Sequence, residues 1–152
     1  MTESLDEQTP TAIHVFAYGS LMIPEVIQAV IGREISGEPA TLAGYLRQGL
    51  SGFSYPGLVK CPDALVEGRL YRDLGATDLL RLDAFEDDFY QRHMLTVQTR
   101  NGDIYQANVY VITPESVILL DGRPWCEEAF RRQHLRGFLS RYCPRHDLDH
   151  LT

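Results

Sequence analysis

The sequence predicts an α+β fold in which a mixed or mostly antiparallel sheet curls into a small barrel with helices packed outside it. Three observations point there. Apolar residues occupy both alternating sets of the first strand, Ile13 to Ala17, so both of its faces are covered. Asn101-Gly102 stands between two β-rich runs, where residues tolerant of positive φ favour a tight hairpin. Beyond Pro114 the alternation gives way to a helical stripe of Leu135, Phe138, Leu139 and Tyr142. At 152 residues and 44% apolar side chains, the chain is long enough for one core and too short for two comfortable domains. The expected plan is a polar leader over 1–12, a domain over 13–113 and a helical extension over 114–152.

In order along the chain, Ile13 to Ala17 is a strand and Gly19 permits a sharp exit. Pro24 suits a first helical turn, and Val26, Ile27, Val30 and Ile31 recur at helical spacing until Gly32 stops the run. Ala40 to Leu46 reads as a second strand, and the aromatic and glycine-rich stretch from Gly49 to Pro56 as a bend. Leu58 to Lys60 and Leu65 to Tyr71 read as two further strands, the second interrupted at Gly68. Thr77 is placed to cap a helix from Asp78 to about Phe85. Tyr90 to Thr99 and Ile104 to Ile112 form the hairpin, and Pro124 with Glu127-Glu128 opens the last helix.

Charge and composition exclude several function classes. A net charge of −7 repels polyanions, so nucleic acid is not an expected partner, and the arginines 131, 132, 136, 141 and 145 read as the solvated face of an amphipathic helix. The first seven residues carry neither a basic nor an apolar signal region, and no apolar run reaches about 18 residues. A protein without membrane association, in the cytoplasm, is the expectation. Cys61, Cys126 and Cys143 are odd in number and widely spaced, which fits reduced thiols rather than disulfides or zinc. His146 and His150 share helical spacing but lie in a polar tail, so no metal site is expected.

Two places carry candidate chemistry. With Leu79 at zero on a wheel turning about 100° per residue, Leu82 falls at about 300° and Glu86 at about 340°. Glu86 therefore faces the apolar side, where lost hydration would raise its pKa toward that of a useful proton carrier. The competing structural reading ends the helix before Glu86, or pairs that residue with Arg92. The second place is Tyr18-Gly19-Ser20-Leu21, where backbone N–H groups at a strand-to-helix junction suit an anionic group, helped by the positive end of the following helix. An ordinary turn is the competing reading there. Ser20 lacks the G-x-S-x-G setting of an activated nucleophile.

Val15-Phe16-Ala17-Tyr18-Gly19-Ser20-Leu21-Met22, Leu42-Ala43-Gly44-Tyr45, Tyr55-Pro56-Gly57, Glu67-Gly68, Leu82-Asp83-Ala84-Phe85-Glu86-Asp87 and Tyr90-Gln91-Arg92 occur in the order of one family. On these words the chain resembles the γ-glutamylcyclotransferase-like proteins, in particular the avirulence-induced branch that includes γ-glutamylamine cyclotransferase. The likeness covers about residues 13 to 113. It implies a fold built on a small β-barrel, a glutamyl group held by the backbone of Tyr18, Gly19, Ser20 and Leu21, and Glu86 as acid/base. Tyr55, Tyr90 and Tyr110 fall in matching words as pocket-lining residues, although aromatic core packing explains them equally well.

The implied reaction closes the substrate's own α-amine onto its γ-carbonyl, giving 5-oxoproline and a free amine or amino acid, with no cofactor. γ-Glutamylamines, γ-glutamyl amino acids and glutathione are all substrates of that class. Two non-enzymatic readings stand beside it: a module that binds a γ-glutamyl metabolite in the same cradle, and an interaction protein working through its last helix. The stripe on that helix suits its own sheet or a second subunit in a homodimer.

Overall fold

The computed structural model describes residues 13–86 and 88–142; the leader, Asp87, Cys143, Arg145, His146, His150 and the side chain of Tyr142 lie outside the described residues. Strands β1 (Ile13–Ala17), β2 (Glu38–Gly49), β3 (Pro56–Leu74), β4 (Tyr90–Thr99) and β5 (Ile104–Ile112) close into a barrel in the order β1-β3-β2-β4-β5. Neighbours are antiparallel except where β5 meets β1, parallel, with Val15 opposite Asn108. The two-sided covering of β1 has a simple cause. Phe16 and Tyr18 join a cluster fed by all five strands, whereas Val15 and Ala17 join a second cluster shared with the helices. The hairpin forms as its turn residues predict, running from Tyr90 opposite Ile112 to Gln98 opposite Ile104, with Gly102 at φ 94°.

Several boundaries differ from the sequence reading. The two strands expected at Leu58–Lys60 and Leu65–Tyr71 are one continuous strand, because β3 pairs with β2 from Gly49 opposite Pro56 to Glu38 opposite Leu70. That same pairing extends β2 at both ends beyond Ala40–Leu46. Gly68 does not interrupt β3. A Cβ there would stand 2.2 Å from the carbonyl oxygen of Ala17, so glycine is what lets β3 cross β1 so closely. The register shift between Ala43 and Tyr45 is absorbed at Gly44, whose φ of 88° other residues rarely adopt.

Between β1 and helix α1 (Pro24–Ile31) the chain makes a short 3-10 turn at Ser20–Met22. Helix α1 begins with Pro24 and stops at Gly32 in the left-handed region, as the sequence predicts; it buries Val26, Ile27 and Ile31 together with Ala29, while Val30 is only partly buried. Helix α2 (Ala76–Phe85) starts earlier than expected and is capped at Gly75, not Thr77. The Asp78 carboxylate accepts the Gly75 N–H at 3.0 Å and also receives Arg33, at 2.6 Å, from beyond α1. Arg81 adds a second tie to α1 by donating to the Ile31 carbonyl at 2.6 Å.

The single last helix expected from the sequence is two: α3 (Glu127–Gln133) and α4 (Leu135–Tyr142), broken at His134, where φ is −128° and ψ is −17°. Their apolar stripe faces the protein itself. Phe130 and Phe138 belong to the helix-side cluster, with Leu135 and Leu139 packed against it. Among the described residues, no helix is long and apolar enough to cross a membrane.

Candidate functional site

At the end of the barrel where β1 gives way to the 3-10 turn, the two apolar clusters leave a cleft. It encloses about 500 Å³ of space, part of it open to solvent. Tyr18, Gly19, Ser20 and Leu21, continuing from Phe16 and Ala17, form one wall, Tyr55, Pro56 and Tyr90 another, and Phe85, Glu86, Tyr110 and Phe138 complete the lining. Glu86 is the acidic residue of that lining. The residues picked out from the sequence, Tyr18, Gly19, Ser20, Leu21, Tyr55, Glu86, Tyr90 and Tyr110, thus meet in one place.

Among the described residues the carbonyls of the turn are used and its first amides are not. Met22 and Ile23 donate their N–H groups to the carbonyls of Gly19 and Ser20 at 2.9 and 3.0 Å. The Tyr71 hydroxyl donates to the Leu21 carbonyl at 2.7 Å, and the Arg47 guanidinium to that of Tyr18 at 2.8 Å. A short helix leaves its leading N–H groups without internal acceptors, here those of Gly19, Ser20 and Leu21. Glycine at position 19 answers to a close approach: a Cβ would lie 2.8 Å from Cδ of Pro56, on the facing wall. The sequence expected α1 to lend its positive end to this turn. The intervening 3-10 residues instead put the N-cap of α1 at Ile23, past the cradle.

Glu86 reaches the cleft by a different route from the one the helical wheel gives. Helix α2 ends at Phe85, and Glu86 follows with φ −74° and ψ 144°, its N–H still bonded to the Leu82 carbonyl at 3.2 Å. The backbone turns out of the helix and carries the carboxylate to the cleft wall, half-buried. Its charge is felt by two phenols: burial chiefly raises the pKa of Tyr18, and Glu86 raises it further against the opposing pull of Arg47. For Tyr110, burial and the Asp83 bond push upward most, with Glu86 adding to them. Both phenols therefore stay protonated near neutrality and act as hydrogen-bond donors. Tyr18 donates to the Tyr110 carbonyl at 2.5 Å, and Tyr110 to Oδ1 of Asp83 at 2.6 Å.

Sequence reasoning missed the group that holds Tyr110. Arg92 grips Asp83 with two parallel bonds of 2.9 and 3.0 Å and reaches Asn108 Oδ1 at 3.0 Å, so its observed carboxylate partner is Asp83. Phe85, Pro56 and Phe138 were also missed as cleft residues. Phe138 had a legible signal in the last helical stripe, but only the tertiary fold brings that stripe to the cleft. Tyr55 and Tyr110 satisfy both sequence readings at once, being buried core members and cleft walls. Tyr90 lines the cleft and donates to the Pro56 carbonyl at 2.5 Å. Among the described residues, no group of three or more His, Cys, Asp or Glu side chains is arranged to hold a metal.

Comparison with known proteins gives consistent matches. The family model described as "Gamma-glutamyl cyclotransferase, AIG2-like" matches residues 15–127. A curated relative, AIG2-like protein D of Arabidopsis thaliana, is 30% identical over 133 residues, covering 86% of this chain and 87% of its own. A solution structure of an Arabidopsis thaliana protein superposes with a TM-score of 0.69 at 28% identity, covering 88% of this chain and 81% of that one. The crystal structure of an AIG2-like protein from Mus musculus gives 0.60 at 25% identity, covering 83% and 92%.

Proposed function

The chain belongs to the AIG2-like gamma-glutamyl cyclotransferase family, and from that premise we propose that it converts a γ-glutamyl amide into 5-oxoproline and a free amine or amino acid. One observation carries the reading: the Glu86 carboxylate and the amide-bearing turn Tyr18–Leu21 line the same cleft. In a γ-glutamyl compound the α-amine can reach its own γ-carbonyl carbon. At neutral pH that amine is an ammonium and cannot attack, so Glu86 takes a proton from it. The nitrogen then bonds to the γ-carbon and the five-membered ring closes. As the tetrahedral centre collapses, the bond from the γ-carbon to the departing nitrogen breaks, and Glu86 returns the first proton to that nitrogen. The second proton, lost by the ring nitrogen as it becomes the lactam N–H, ends on the released amine, which leaves as an ammonium. Nothing is oxidised or reduced and no water is consumed.

The rest of the cleft serves geometry and charge. The N–H groups of Gly19, Ser20 and Leu21 bind the glutamyl carboxylate or the oxygen on which charge develops. Aromatic walls from Tyr55, Tyr90 and Phe138 press the flexible glutamyl chain into its folded-back conformer, which removes part of the entropic barrier. A panel of γ-glutamylamines, γ-glutamyl amino acids and glutathione, assayed for 5-oxoproline, tests the reading. Glu86→Gln should lower turnover of the accepted compound about 100- to 10,000-fold with an unchanged melting temperature. Binding without turnover by the wild type would make the protein a metabolite-binding module, and full activity in Glu86→Gln would move the base elsewhere.

A further inference from the structure

We propose that Arg47, seated on Trp125, is a positioning residue that presets the cradle by holding the Tyr18 carbonyl, so that the Gly19 N–H faces the cleft. The proposal rests on reading the turn as the substrate cradle and adds a residue to it. A trans peptide points its C=O and its N–H in opposite directions. Whatever captures the carbonyl of the peptide joining Tyr18 to Gly19 therefore aims that peptide's N–H the other way. Arg47 Nη1 lies 2.8 Å from the Tyr18 oxygen and 3.1 Å from the carbonyl oxygen of Glu67, so one nitrogen ties the turn to the neighbouring strand β3.

The same logic runs through the next two peptides. The Gly19 and Ser20 carbonyls are taken by Met22 and Ile23, which turns the N–H groups of Ser20 and Leu21 to the same side. Those two are fixed by the 3-10 turn itself, whereas the first depends on a side chain. Among the described residues no acceptor takes the N–H of Gly19, Ser20 or Leu21.

Arg47 is in turn immobilised. It leaves β2 half-buried, and its guanidinium lies 5.5 Å from the centre of the Trp125 ring. That ring is anchored by its own N–H, which donates to the Ser54 carbonyl at 2.7 Å. Arg47 and Trp125 belong to a separate groove with Cys126, Glu127, Glu128 and Arg131, not to the cleft lining. The cation therefore acts from behind the turn and does not touch substrate. Its charge reaches the site all the same, since it lowers the pKa of Tyr18 against burial and Glu86.

Arg47→Met and Arg47→Lys, compared with wild type by proton–nitrogen correlation spectra and by 5-oxoproline kinetics, test the assignment. In Arg47→Met the Gly19 amide resonance should move while that of Gly102 in the distant hairpin stays, and kcat/KM should fall about tenfold or more. Arg47→Lys keeps a cationic donor and should recover the greater part of that loss, which a space-filling role would not predict. Wild-type kcat/KM with an unmoved Gly19 resonance in Arg47→Met overturns the proposal, as does equal loss in both variants. Should Arg47→Met fail to fold, Arg47→Ala takes its place: an unmoved Gly19 resonance with wild-type kcat/KM refutes, a displaced one with lowered kcat/KM supports. Should wild type release no 5-oxoproline from any compound of the panel, the proposed reaction falls, and the spectra still decide how the Gly19 amide is set.

Discussion

Replacing glycine by alanine at three positions should give three different outcomes, because the added methyl meets three different surroundings. At Gly137 in α4 nothing lies within 4 Å of the new Cβ, so the gain in helix propensity stands alone. Gly137→Ala should stabilise by roughly 0.5–1 kcal/mol. At Gly19 the methyl lands 2.8 Å from Cδ and 3.0 Å from Cγ of Pro56. Relief requires the ring to retreat by about half an ångström, at the start of a strand whose Pro56 carbonyl also accepts Tyr90. Overpacking of that kind costs about 1–3 kcal/mol and should also spread the cleft walls, lowering activity. At Gly68 the obstacle is the Ala17 carbonyl oxygen at 2.2 Å, with Phe16 at 2.8 Å, and neither can swing aside inside a closed barrel. Gly68→Ala should cost about 3 kcal/mol or more, or prevent folding. Urea unfolding of the three variants against wild type reads the order directly. A Gly68→Ala protein as stable as wild type, or a Gly19→Ala protein with undiminished 5-oxoproline release, would refute the steric argument.

Two further outcomes follow from the same coordinates. Arg33 holds the carboxyl of Asp78 below its ordinary value of 3.8. The stabilisation is therefore complete above that value and is lost as pH falls through the lowered one. Asp78→Asn should be less stable than wild type by about 1 kcal/mol at neutral pH, Arg33 being half exposed, and the gap should close as pH falls through the lowered pKa of the Asp78 carboxyl. A gap that persists in acid would mean the amide disturbs packing instead. Phe138→Ala empties a buried position that is also a cleft wall, so it should cost about 3 kcal/mol in urea unfolding and raise KM more than it lowers kcat. Unchanged KM would remove Phe138 from the substrate's surroundings.

What the sequence made legible was what short-range chemistry decides. The two-sided apolar character of β1, the Asn101-Gly102 turn, and Pro24 and Gly32 bracketing α1 each act within a few residues, and each element formed where they place it. Errors arose where a distant group decides. Gly68 reads locally as a break, yet its purpose is to make room for the carbonyl of Ala17 on another strand. Thr77 is a good capping residue by type, but Asp78 takes the Gly75 N–H because Arg33 holds its carboxylate in place. Glu86 was assigned to the right side of α2 by a wheel that assumed a further helical residue. The helix stops one residue short, and the extended backbone delivers the side chain to the cleft instead. The trio of Asp83, Arg92 and Tyr110 could not be read at all, since its members sit on α2, β4 and β5 and meet only when the barrel closes.

The hydroxyl of Tyr18 finds its acceptor 92 residues further along the chain, and the wall opposite ends only at Phe138. During synthesis, then, a nascent chain still emerging from the ribosome carries the loop but not the chamber around it. Any product cut short before α4 lacks part of its enclosure, so the complete cleft arrives late in biogenesis, once the chain through Phe138 is in place.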